Sequence, residues 1–271
     1  MTSQSDKVEA FRTLHAEGCF VLPNPWDVGS AVLLEHLGFK ALATTSAGFA
    51  WSLGHPDQGV ERAEVLEHLR QIASAVEVPV SADFEGGYAS DPEGVAESVA
   101  LAAATGIAGL SIEDSTRGSD EPLYPFDLAV ERVRAARRAI DESGTGIVLT
   151  GRSEGFVVGR PDLDETIRRL QAYADAGADC LYAPFIDTPE QVSAIVSAVA
   201  PKPVNLLVYK PFITVADAEA LGVRRISLGA ALARVALAAF MAAAQEIADH
   251  GTFARLADLP HNAAANEIFA R

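Results

Sequence analysis

Ala104-Thr105-Gly106-Ile107-Ala108-Gly109-Leu110-Ser111-Ile112-Glu113-Asp114 reads as a helix end, a glycine, a short apolar run and two acids at its far end. Glycine just past a helix supplies a left-handed C-cap, and a short apolar run after it reads as a buried parallel strand. The same order returns at His36-Leu37-Gly38 before 41–46, at Asp175-Ala176-Gly177 before 180–185, and at Ala220-Leu221-Gly222 before 225–229. Filling the intervals gives strand candidates at 19–24, 41–46, 78–84, 109–114, 146–152, 180–185, 203–208 and 225–229. Helical patterns separate them, at Arg62–Ala75, 92–104, 127–142, 162–175 and 189–198. Eight β-then-α units in 271 residues predict an α/β fold of the (β/α)8 TIM-barrel type, with a doubly wound open sheet as the alternative. No linker or low-complexity segment divides the chain, so residues 1–271 read as one domain with a helical extension from about 230. That extension, 230–250, is apolar on nearly every face, which predicts burial on more than one side, as at a subunit interface.

Composition narrows the function classes. Hydrophobic residues make up 49%, enough for a substantial core, and the formal net charge is −16. Such a field repels nucleic acid and anionic membrane surfaces, and an anionic substrate would need a local arginine or metal ion to be held. Cys19 and Cys180 lie in apolar stretches and read as reduced, buried residues. Residues 1–18 lack the apolar core of a signal peptide, and the apolar stretch 230–244, interrupted by Arg234, reads as too short for a membrane span. The expectation is a soluble cytoplasmic protein with no nucleic-acid or membrane partner.

In a barrel of this type the chemistry sits at the C-terminal strand ends. Strand one ends Pro23-Asn24-Pro25-Trp26-Asp27, and strand two runs through Ser46-Ala47-Gly48 to Gly54-His55-Pro56-Asp57. Strand three ends Asp83-Phe84-Glu85-Gly86-Gly87-Tyr88, strand four Glu113-Asp114 and strand five Gly151-Arg152-Ser153-Glu154, while strand seven carries Asn205. Five carboxylates at one rim (Asp57, Asp83, Glu85, Glu113, Asp114) repel one another unless a cation lies between them. The alternative is that they are helix N-caps and solvated loop charges. An oxygen-only set favours Mg2+ or Mn2+, with one carboxylate bound directly and the others holding waters. Arg152 fits a substrate carboxylate with two parallel hydrogen bonds, or else pairs with Glu154 or Glu113. Backbone N–H groups of Ser46, Ala47 and Gly48 can face a second anionic group. His55 reads as a loop histidine.

These strand ends, in this order, resemble the isocitrate lyase and phosphoenolpyruvate mutase superfamily from about Phe11 to Phe253. Asp83-Phe84-Glu85-Gly86-Gly87-Tyr88 is similar to its Asp-x-Asp-x-Gly-Tyr segment, with Glu85 replacing the second aspartate. Ile112-Glu113-Asp114 resembles its Ile-Glu-Asp, Gly151-Arg152-Ser153-Glu154 its Ala-Arg-Thr-Asp, Gly54-His55-Pro56-Asp57 its Gly-x-Pro-Asp and Ser227-Leu228-Gly229 its Ser-Leu-Gly. The resemblance implies Mg2+ bound directly by Asp83, with Asp57, Glu85 and Glu113 acting through water. It also implies a small carboxylate substrate held by Ser46, Ala47, Gly48, Trp26, Arg152 and Asn205. Catalytic roles go to Arg152, Glu113 and Tyr88. Homodimers or homotetramers with a C-terminal helix swapped between subunits follow from the same likeness.

The loop after strand four departs from that pattern. The 2-methylisocitrate and isocitrate lyases carry Lys-Lys/Arg-Cys-Gly-His there, whereas this chain reads Ser115-Thr116-Arg117-Gly118-Ser119-Asp120-Glu121-Pro122-Leu123-Tyr124. The lysine and asparagine or threonine of the mutases and phosphonopyruvate hydrolases find no lysine or asparagine between Glu113 and Pro125; Arg117 is the one cation in the loop. Tyr182-Ala183-Pro184 stands where relatives place a strand-six glutamate or histidine. The expected reaction is cleavage of a C–C bond in a small 2-oxo or 2-hydroxy dicarboxylate of the oxaloacetate kind through an enolate, with Tyr88 or a water on the metal moving the proton. A P–C bond enzyme and a non-catalytic 2-oxoacid binder are the alternatives.

Overall fold

A computed structural model describes residues 2–116, 120–257, 259 and 262–270. Eight strands run in chain order: β1 Phe20–Leu22, β2 Leu42–Ala43, β3 Val80–Asp83, β4 Gly109–Glu113, β5 Val148–Arg152, β6 Cys180–Tyr182, β7 Val204–Leu207 and β8 Arg225–Ser227. All pairings are parallel, in the order β1-β8-β7-β6-β5-β4-β3-β2. One backbone hydrogen bond, from Ala43 N–H to the Pro23 carbonyl at 3.1 Å, bridges the remaining seam between β1 and β2. The Asn24 side chain reinforces it, donating to the Thr44 carbonyl at 2.9 Å and accepting from Leu228 N–H at 2.8 Å. The expected TIM barrel is the observed fold.

Period-two alternation sorts each strand's residues between the barrel interior and the surrounding helices. In β4, Leu110 and Ile112 join the apolar core while Ser111 and Glu113 are the buried polar residues; in β8, Ile226 lies between Arg225 and Ser227 in the same way. The helices are capped as their sequences dictate. Asp27, Asp91, Asp162 and Thr188 each accept an N–H bond at the start of the helix they precede.

The strands are shorter than the apolar runs suggested. The run 41–46 yields only Leu42–Ala43, because Thr45 turns the chain by capping a helix, Ser46–Ser52, that periodicity did not reveal. The run 180–185 stops at Tyr182, before Pro184 and a left-handed Phe185 at φ +64°. Cys180 is buried as expected, whereas Cys19 is only half-buried; both are free thiols.

The last long helix, Ala231–His250, departs from the barrel after β8. Ala233 is its one buried residue, while Val235, Phe240 and Met241 are each about two-thirds exposed. By length and composition this 20-residue helix is apolar enough to cross a membrane, so the sequence-based judgement that the stretch is too short does not hold for the helix as formed.

Candidate active site

The C-terminal strand ends surround a cavity of about 230 Å3 that extends into the barrel. Its central carboxylate is Asp83, the last residue of β3. Asp83 N–H donates to Thr44 Oγ1 at 3.0 Å, and its Oδ2 accepts from both Ser46 N–H at 3.0 Å and Ser46 Oγ at 2.8 Å. Its Oδ1 accepts from Arg152 Nη1 at 3.0 Å. The turn after β2 is therefore fastened to the end of β3 by one carboxylate.

Arg152 ends β5 among three acids. Nη1 lies 3.0 Å from Asp83 and 3.3 Å from Glu113, and Nε donates to Glu154. Burial works against its charge, but Glu154, Glu113 and Asp83 together push the guanidinium pKa well above its usual value. Burial, with the charges of Glu154, Asp83 and Asp114, pushes the Glu113 carboxyl up; Arg152 only partly opposes this. Arg152 borders the cavity and is ion-paired at the rim.

The acidic turn after β3 is held from behind. Arg132, buried on the helix Phe126–Ser143, donates to the carbonyls of Gly86, Ala89 and, at 2.8 Å, Ser90, and its guanidinium stacks 3.9 Å from the Tyr124 ring. Glu85 and Tyr88 adopt left-handed φ values of +49° and +56°, and Tyr88 Oη donates to Glu85 Oε1 at 2.8 Å. Burial and the charges of Asp83, Glu113 and Asp57 raise the Tyr88 phenol far above its ordinary pKa, which favours its protonated form. Glu85 and Tyr88 face a small crevice that shares Thr44, Ser46 and Asp83 with the main cavity.

Of the other sequence-selected residues, Ala47, Asn205 and the exposed Asp57 border the cavity; Trp26 and Gly48 do not. Gly48 N–H is spent on Thr45 Oγ1 at 3.3 Å, so it is not offered to a ligand. A Cβ at Gly48 would lie 2.9 Å from the Trp26 Cβ and 3.2 Å from that of Ala233, so this glycine permits close packing. Asp114 is not a rim acid. It is buried behind the sheet, accepting from Glu154 N–H at 2.7 Å, Arg169 Nη1 at 3.2 Å and Tyr173 Oη at 2.6 Å. His55 is exposed, and Arg117 lies outside the described residues. Among the described residues, no three His, Cys, Asp or Glu side chains form a ready-made metal cage.

Sequence reasoning selected Asn205 but missed Arg225, beside it on the cavity floor, and Thr150, which Arg225 bonds. Asn205 donates to Ser227 Oγ at 2.9 Å and accepts from Arg225 Nε at 2.8 Å, and Arg225 reaches across the barrel to Thr150 Oγ1 at 3.1 Å. The signal was present as polar residues alternating with apolar ones in Arg225-Ile226-Ser227.

Residues 11–248 match the profile of the family described as phosphoenolpyruvate phosphomutase. The chain belongs to the phosphoenolpyruvate phosphomutase family. It is thereby an enzyme of the isocitrate lyase and phosphoenolpyruvate mutase superfamily, which contains carbon–carbon lyases and mutases. A lyase/mutase candidate from Burkholderia cenocepacia J2315 has 45% identity and a TM-score of 0.96, covering 99% of this chain and 98% of its own. An oxaloacetate decarboxylase from Bradyrhizobium sp. (strain ORS 278) is 33% identical over 199 residues, 70% of this chain and 67% of that one. A phosphonopyruvate hydrolase solved with oxalate and Mg2+ is 27% identical with a TM-score of 0.86, covering 99% of this chain and 95% of its own. Phosphoenolpyruvate phosphomutase relatives of this barrel thus include both C–C and P–C bond enzymes.

Proposed function

We propose that this protein is a Mg2+-dependent lyase, able to use Mn2+, that cleaves a C–C bond beside the carboxylate of a small 2-oxo or 2-hydroxy dicarboxylate such as oxaloacetate. The observation that carries the reading is Asp83, fixed between Ser46 and Arg152 at the cavity with Glu85 and Glu113 buried close by.

The donor set suits Mg2+. It is all oxygen, and Arg152 alone is ion-paired to Asp83, Glu113 and Glu154, leaving negative charge uncompensated. Asp83 would hold it directly, with Asp57, Glu85 and Glu113 holding its waters. When bound, Mg2+ would supply positive charge where an enolate oxygen develops. Arg152 and the Ala47 N–H, in the first helical turn where no intrahelical acceptor exists, would orient the carboxylate. Tyr88, kept protonated, would hold Glu85 in place through the one hydrogen bond its hydroxyl donates. In oxaloacetate decarboxylation the C3–C4 bond breaks, its electron pair passes to the C2 oxygen as an enolate, carbon dioxide leaves, and C3 then takes a proton.

Among the described residues, Arg152 and Arg225 are the cavity's only cationic side chains, and Arg152 is shared among three acids; this disfavours a phosphonate. The exposed apolar face of Ala231–His250 supports a homodimer or homotetramer in which a second copy covers this helix, and we read the protein as soluble and cytoplasmic. The deciding experiment titrates metal-stripped protein with Mg2+ in oxaloacetate, following pyruvate and oxalate above the metal-only background. Metal-dependent product, lost in Asp83→Ala and Arg152→Ala, is expected. Saturable binding without product would turn the reading into a 2-oxoacid binder.

A further inference from the structure

Barrels of this kind fill their interior with bulky branched side chains. Here Ala43, Ser81 and Ser111 stand one step below the rim instead, and the cavity continues past them to Arg225 at the start of β8. Arg225 is 4% exposed, yet every partner of its guanidinium is neutral: Nε donates to Asn205 Oδ1 at 2.8 Å, Nη2 to Thr150 Oγ1 at 3.1 Å, and Nη1 lies 3.3 Å from His15 Nε2. Burial keeps His15 uncharged near neutral pH, its pKa pushed down to about 3, with the Arg225 charge adding to the effect. No carboxylate lies within 4.0 Å of Arg225 among the described residues; Arg152 and Arg169 are ion-paired, and the buried Arg132 is satisfied by three backbone carbonyls. A buried charge is heavily penalised unless it is compensated. These three bonds leave two of its five N–H donors for a ligand.

We propose that Arg225 is the receptor for the second carboxylate of the substrate, so that a dicarboxylate spans the cavity with one end at the Asp83–Arg152 rim and the other in the barrel interior. The proposal rests on the functional reading above and adds the group that makes the substrate a dicarboxylate. It also accounts for the shortage of cations at the rim, since the second anionic group is neutralised below it.

The test compares malate, both enantiomers, with 2-hydroxybutyrate, which replaces the distal carboxylate by a methyl group. Binding is measured by calorimetry in Mg2+, with oxalate as a ligand too short to leave the rim. The unmodified protein is expected to prefer malate by about tenfold or more, the size of one charge-assisted contact. Arg225→Met is expected to bring that ratio close to one while oxalate binds as before. A role confined to bracing the barrel would lower Tm and leave the ratio unchanged, and that result overturns the proposal. So does equal binding of the two acids by the unmodified protein, for which no variant is needed. If Arg225→Met does not fold, Arg225→Lys keeps the charge and loses the fork; a several-fold drop in the ratio is expected, and an unchanged ratio overturns the proposal. Failure of oxalate to bind the unmodified protein would instead sink the functional reading and the inference with it.

Discussion

Arg152 Nη1 meets Asp83 Oδ1 at 3.0 Å while Ser46 occupies the other oxygen of the same carboxylate from the opposite side. Asp83 is thus oriented before any ligand arrives, and the two contacts separate its roles. In Asp83→Asn the shape is kept and the charge lost. Saturating Mg2+, expected to add about 3 kcal/mol of stability to the unmodified protein at a hundred times its Kd, should add almost nothing to this variant. Ser46→Ala removes one of the two Ser46 donors and should cost about 1 kcal/mol while retaining metal dependence. Thermal unfolding with and without Mg2+ reads both.

Asp114 makes the opposite prediction to its neighbour Glu113. Its carboxylate carries Arg169, Tyr173 and the Glu154 N–H behind the sheet, so Asp114→Ala should lose about 3 kcal/mol, because the Tyr173 hydroxyl and the Glu154 N–H lose their acceptor and Arg169 keeps only Glu165 as a carboxylate partner. Tyr173→Phe removes one donor and should lose about 1–2 kcal/mol. Denaturant titration measures both; equal losses in the two variants would contradict this ranking.

His68 sets an acid limit. It is buried, stacks on Phe49 at 3.6 Å between ring centroids, and its Nε2 has no hydrogen-bond partner among the described residues. Burial lowers its pKa from 6.5 to about 4, opposed by Asp27. The unfolded chain therefore takes up the proton first. Stability is complete above pH 6.5, falls as pH drops through the window, and stops falling near pH 4, for a loss of about 3 kcal/mol. In His68→Phe the stability difference between pH 7 and pH 4.5 should shrink by roughly that amount; an unchanged difference would assign the acid sensitivity elsewhere.

The Ala231–His250 helix should be covered in solution. Sedimentation velocity is expected to give a dimer or tetramer, and Phe240→Asp with Met241→Asp a smaller species with the barrel still folded by circular dichroism. A monomeric unmodified protein would require another partner for that face.

The barrel was legible because glycine C-caps punctuate the chain at Gly38, Gly106, Gly177 and Gly222, and each precedes a buried strand. Strand ends were less so. Apolar runs do not record where backbone pairing stops, so Thr45 and Ser46 read as strand although their side chains serve a helix cap and Asp83. Rim residues could be chosen by position, but position alone did not separate Glu113, which meets Arg152, from Asp114 one step behind it. Arg132 and Arg225 were missed for the same reason. A lone arginine on a helix or at a strand start reads as solvated until three-dimensional packing places it against carbonyls or inside the barrel.

The Asn24 amide joins the end of the second strand to the loop after the eighth, at the seam that a single backbone bond, Ala43 N–H to the Pro23 carbonyl, otherwise holds. The circumference of the mouth on that side is set by the reach of one side chain and one backbone bond, and a change of one methylene at Asn24 would strain the opening without touching Asp83 or Arg152. The barrel also has a preferred place to breathe. Amide exchange should begin at this seam, beside the entrance, while the strands opposite remain protected.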